Sequence, residues 1–175
     1  LRDVVEQAGA GLTRFHMLTR KNDAPLDFDF DKVLEQSKDN PVFYVQYAHA
    51  RVASVLRKAR ELGIDVSDAA LAAADLDRNT HEAERALAKK IAEWPRQVEI
   101  AARANEPHRV AFFLYEIASD LHALWNRGND EPSLRFLQDG DLAASSAKIA
   151  LARASAVVIS AGLGILGVTP AEEMR

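Results

Sequence analysis

Between Asn40 and Gly63 the chain reads NPVFYVQYAHARVASVLRKARELG. Val45, Ala48, Val52, Val55, Ala59 and Leu62 follow one another at alternating intervals of three and four residues. At about 100° per residue that spacing makes a single apolar stripe along a helix, whereas a half-buried strand needs alternation every second residue. Asn40 followed by Pro41 is a preferred way to start a helix, and Gly63 a preferred way to end one. The spacing therefore predicts one long helix from 41 to 62 with one face in a core. Tyr47, Arg51, Ser54 and Lys58 recur on the opposite side, with Gln46, Ala50, Ala53, Arg57 and Arg60 between the two.

Elsewhere Ala and Leu dominate and strand-like alternation is nearly absent, so an all-α helical bundle is expected. A short helix is read up to Gly9 and Gly11, and a second over LTRFHMLTR. A connection with Pro25 follows, in which Asp29 or Asp31 could cap a short helix through Gln36. Residues 64–78 read as a loop with one helical turn. Asn79 or Thr80 is expected to cap a helix to Glu93, and a further helix covers 95–104. From NEPHRV a long helix runs to Asn126 and stops at Arg127-Gly128. Its core stripe is Val110, Leu114, Ile117, Leu121 and Leu124. His108, Phe112, Tyr115, Ser119, His122 and Asn126 form a second stripe, with Trp125 at the edge of the first. Asp141 caps a last helix to Leu166, and the tail is extended or turned. The apolar run 156–168 is shorter than the roughly 20 residues a membrane span needs, and is read as core.

The chain has no Cys, which excludes disulfides, thiolate chemistry and cysteine-bound metal. Its formal net charge is −4, against broad electrostatic binding of nucleic acid. Residues 41–63 are the one net-positive stretch, with four basic residues and one acidic. Asp27, Asp29 and Asp31 are spaced like the start of a calcium loop, but Lys32 and Lys38 stand where Gly and Glu belong. P-loop, dinucleotide, HExxH and GxSxG motifs are absent, and the five His have no ligand spacing. Periodicity alone leaves three readings of the cationic helix: a solvated surface, a partner-protein face, or a groove where Tyr stacks and Arg meets phosphate. Histidine catalysis would need two of His49, His108 and His122 beside a carboxylate.

RKNDAPLDFDF followed by KDNPVFYVQYAHARVASVLRKA resembles the C-terminal region of bacterial-type arginyl-tRNA synthetases. EPHRVAFFLYEIASDLHALWN and GILGVTPAEEM resemble two further blocks, in the family's order. The resemblance implies a helical bundle of the class I aminoacyl-tRNA synthetase anticodon-binding type. Residues 1–24 would be the end of a catalytic domain, 25–40 a connection and 41–175 the DALR anticodon-binding domain. Leu1 is not an initiator Met, and a piece of a longer protein is expected. The HIGH-type and KMSK-type signatures are not in this chain, so ATP, magnesium and the ligase reaction are implied for the full-length protein only. The implied partner is tRNA(Arg), with no DNA and no membrane, for a monomeric cytoplasmic protein; a helical protein–protein interaction module is the alternative.

Carried over by position, the implied RNA-binding residues are Tyr47, Arg51, Arg57, Lys58, Arg60, His122, Trp125, Asn126 and Met174. Tyr47 and Arg57 are expected at bases, Arg51 at the RNA backbone or as support, and His49 inside the fold. The chain departs from the family twice. Leu121 stands where some relatives have Tyr, and the end reads EEMR rather than ERM. The expectation requires Tyr47, Arg51, Arg57, Trp125 and Met174 to meet in one open groove.

Overall fold

The computed structural model describes residues 2–21, 29, 33–35, 37 and 39–174. Among them are eight α-helices and no strand. They are α1 (Arg2–Ala8), α2 (Ala10–Leu18), α3 (Pro41–Glu61), α4 (Asp68–Ala72), α5 (Glu82–Ala92), α6 (Trp94–Ala104), α7 (His108–Asp130) and α8 (Leu142–Ile165). Two 3-10 turns stand at Leu76–Arg78 and Pro132–Leu134. The helix expected between Asp29 or Asp31 and Gln36 falls largely outside the described residues, as does most of the Asp27–Asp31 cluster.

The three longest helices pack on one another and make the core. Val45, Ala48 and Ala59 from α3, Leu114 and Ile117 from α7, and Ile149, Ile159 and Leu163 from α8 are fully buried. α5 lies against α7 and α8, α6 against α7, and α2 against α3 and α7. α8 is apolar nearly all round and is long and apolar enough to cross a bilayer by composition. Here it is the central core helix, with 61% of that apolar window buried. Gly162 brings α8 close to α7: a Cβ there would stand 2.5 Å from the Leu114 side chain. Lys148, inside α8, is buried with Glu84 of α5 in an ion pair whose side chains are 7% and 2% exposed.

Local chemistry sets the helix ends. Asn40 is buried with its amide fully used. Its Oδ1 accepts from Val42 N and Phe43 N, and its Nδ2 donates to the Val33 and Glu35 carbonyls at 2.7 and 2.9 Å. That cap starts α3 and ties the preceding segment to it, for about 1 kcal/mol. Close to this N-terminus of α3, Gly167 adopts φ 69° just past α8. Val168 N donates to Leu163 O and Gly167 N to Gly164 O, the Schellman pattern. This turn directs the tail back along α3.

Four expectations are corrected. Leu62 is 57% exposed, because the chain turns off the helix there; Leu56 joins the core instead. α5 is capped by neither Asn79 nor Thr80 but by His81, whose ring accepts from Ala83 N while Glu84 accepts from His81 N. α6 starts one residue early, at Trp94. α7 does not stop at Gly128 but runs through it to Asp130. Gly128 packs against Arg135, whose backbone lies 3.4 Å from where a Cβ would be.

Candidate nucleic-acid interface

The polar side of α3 carries two rows of side chains doing different work. Gln46, His49 and Arg57 hold the tail. Gln46 Nε2 donates to Thr169 O at 2.8 Å, and Ala171 N donates to Gln46 Oε1 at 2.6 Å. His49 is buried, and its Nδ1–H donates to Ala171 O at 2.8 Å. Arg57 Nη1 donates to Glu172 O at 3.3 Å, and its Nη2 lies 3.7 Å from the Glu173 carboxylate. Residues 169–174 are thus laid along the helix as a strip, anchored mainly through their backbone.

The second row faces α7. The Arg51 guanidinium lies 4.4 Å from the Tyr47 ring centroid and 4.9 Å from that of Trp125. Its Nη1 donates to His122 Nδ1 at 3.0 Å, and His122 Nε2 donates to the Tyr44 carbonyl at 3.1 Å. His122 is 3% exposed, and burial is the main cause that holds its pKa below the usual imidazole value. The Tyr44 carbonyl pulls it upward and the Arg51 charge pushes it further down. The neutral ring is the one that can accept from Arg51, so burial and hydrogen bonding agree. Tyr44 and Tyr47 pack on the same imidazole, with centroids at 4.4 and 5.4 Å.

Tail, α3 and α7 enclose an open depression of about 510 Å³. Tyr47, Arg51, Arg57, Trp125 and Met174 all line it, with Ala50, Ser54 and Glu173. The five residues that had to meet do meet. The other four carried-over residues do not line it. His122 lies beneath Arg51, buried, with both ring nitrogens bonded inside the fold. Lys58 is exposed and paired with Glu61 at 3.0 Å. Arg60 lines an adjoining polar depression with His49, Arg57 and Arg153. Asn126 is exposed next to Trp125. Sequence reasoning missed Gln46 and the acidic pair Glu172 and Glu173. Gln46 carried no signal, since its partners are main-chain atoms more than a hundred residues away.

The chemistry available is stacking plus charge. Tyr47 and Trp125 offer aromatic faces, part of which the guanidinium covers. Arg57 offers donors at the rim, and Met174 a polarizable apolar wall. Among the described residues no cluster of His, Asp or Glu has metal-binding geometry.

The DALR anticodon binding domain family matches residues 45–174. Arginine–tRNA ligases of Paracoccus denitrificans and Ruegeria pomeroyi are each 77% identical to this chain over all 175 residues. One from Cereibacter sphaeroides is 78% identical over the same length. The chain spans 30% of the length of these curated relatives. Among solved structures, the Thermus thermophilus arginyl-tRNA synthetase superposes with a TM-score of 0.80 at 29% identity, over 98% of this chain and 27% of its own. A Campylobacter jejuni structure superposes with a TM-score of 0.84 at 23% identity, over 98% of this chain and 35% of its own, and shares the fold.

Proposed function

The chain belongs to the DALR anticodon-binding domain family, and from that membership we propose that the depression on α3 receives the anticodon loop of arginine transfer RNA. One observation carries the reading: two stacking rings, two arginines and a methionine, drawn from α3, α7 and the tail, converge on one open surface. Unpaired bases can splay outward, stack on aromatic rings and present their edges to Arg and main-chain groups. Each base–aromatic stack contributes about 1–3 kcal/mol. Tyr47, Trp125 and Met174 take the bases in this reading. Arg57 reads a base edge or meets phosphate at the rim. Arg51, held from behind by His122, stiffens the two rings. Lys58, Arg60 and Asn126 contribute outside the depression, toward the RNA backbone.

The whole protein then attaches arginine to that RNA with ATP and magnesium. That step belongs to the part of the relatives this chain does not span. A monomer acting in the cytoplasm, without DNA or membrane as partner, completes the proposal.

The test is fluorescence anisotropy of a labelled anticodon stem-loop of tRNA(Arg) with the chain, over a range of salt concentrations. Binding that weakens with salt is expected. Arg57→Ala should weaken it more than about tenfold, with helicity by circular dichroism unchanged. Affinity unchanged in Arg57→Ala, or no binding at moderate salt, would remove the proposal and favour a protein partner.

A further inference from the structure

Met174 lines the depression only because the tail is carried there. Gln46 does not line that depression; it lies on the other side of the strip. Its amide nevertheless grips the strip at two successive points, Thr169 O and Ala171 N, with both polar atoms used. Glutamine can do this because it holds a donor and an acceptor on one planar group, matched to a carbonyl and an N–H two residues apart on the tail. His49 adds a third bond one helical turn further on, again to Ala171. Before the strip, the Schellman turn at Gly167 fixes the direction of departure from α8. After it, Arg57 is the remaining holder, through Glu172 O and the exposed Glu173 carboxylate. Residues 169–171 are therefore held tightly and 172–174 loosely.

We infer that Gln46 is a positioning residue for recognition: its two-point grip on residues 169–171 seats Met174 in the wall of the depression. The inference deepens the proposed function and rests on it for its effect on RNA. The grip itself can be judged without RNA. A preformed wall spares the ordering cost of the tail on binding, so losing the grip lowers affinity even though Gln46 touches no base.

The chain has two methionines, Met17 and Met174. Methyl-labelled methionine therefore gives two NMR signals, and Met17 on α2 serves as an internal control. In Gln46→Ala the Met174 methyl signal should move to a solvent-exposed position and sharpen, while Met17 stays. Stem-loop affinity should fall about three- to tenfold, the equivalent of one or two lost hydrogen bonds. Gln46→Ala combined with Met174→Ala should bind no worse than Met174→Ala alone, because both changes remove the same wall. Gln46→Glu keeps the acceptor for Ala171 N but sets a carboxylate against Thr169 O, and should show the same signal change. A Met174 signal that does not move in either variant overturns the inference, as do losses that multiply in the double variant. Should Tyr47→Ala also leave stem-loop binding unchanged, the proposed function fails separately, and the methyl signal still decides the grip.

Discussion

Replacing Arg51 with Ala empties the space between Tyr47 and Trp125. Each ring lies within 5 Å of the guanidinium, at 4.4 and 4.9 Å. Partly exposed cation–π contacts are worth about 0.5–1 kcal/mol each. The hydrogen bond from Nη1 to His122 has a charged donor and a buried acceptor, and contributes about 1–1.5 kcal/mol. The vacated space opens onto the depression, so water can replace the lost donor and no full penalty for an unsatisfied buried atom is added. The expected loss is about 2–3.5 kcal/mol, or roughly 4–14 °C in Tm for a chain of this size. Urea unfolding with an unchanged m-value measures it. Arg51→Lys should recover little, since an ammonium keeps the charge but not the plane that lies against both rings.

His122 supplies a second readout with a definite sign. Its pKa in the fold lies below the ordinary imidazole value, mainly through burial and in part through the Arg51 charge. The native state therefore binds fewer protons than the unfolded chain as pH falls below about 6.5, and stability drops through that window. Arg51→Ala removes the repelling charge and leaves the burial. The His122 pKa should rise part of the way back, followed by NMR, and the acid-side loss of stability should become shallower. A stability change under about 0.5 kcal/mol, or a His122 titration that does not move, would refute this account of Arg51 as a scaffold.

Three further outcomes are expected. Lys148→Met leaves Glu84 buried beside an apolar side chain and should cost about 3–5 kcal/mol; Lys148→Met with Glu84→Gln should recover part of it, both measured by urea unfolding. Glu173→Gln removes the carboxylate 3.7 Å from Arg57 and should tighten stem-loop binding about two- to fivefold at low salt; weaker binding would show that Glu173 assists. Gly162→Ala places a Cβ 2.5 Å from a Leu114 methyl carbon and should destabilise by about 1–3 kcal/mol despite the better helix propensity of Ala, visible as a lower Tm.

What could be read from the sequence follows from how local each interaction is. Asn40-Pro41, Asp141 and Gly63 mark real helix ends because a cap or a left-handed turn bonds to groups within a few residues. The stripes of α3 and α7 are legible because burial repeats every turn. Leu62 misleads by continuing the rhythm after the backbone has left the helix. Gly128 looks like a stop because glycine commonly ends helices, but here the helix continues through it against Arg135 of a later segment. His81 gives no cap signal because imidazole is not a preferred capping group, and here Glu84 completes the box.

The candidate site divides the same way. Spacing alone places Tyr47 and Arg51 on one side of a helix, with Arg57 in the row between that side and the core. That Trp125 and Met174 join them depends on the α3–α7 packing and on the path of the tail. The tail bonds through main-chain atoms, whose partners no side-chain pattern reveals. This also accounts for the excess of polar groups on α3. A helix that only packed would need none of Gln46, His49, Tyr47 or Arg51. Gln46 and His49 spend their hydrogen bonds on holding the strip, and Arg51 and His122 spend theirs on holding two rings. Arg57, exposed at the rim, also holds the tail through Glu172 O, and keeps donors free for a ligand. In the proposed function most of the polar surplus serves rigidity rather than contact, as a receptor for flexible unpaired bases requires when its affinity depends on walls already in place.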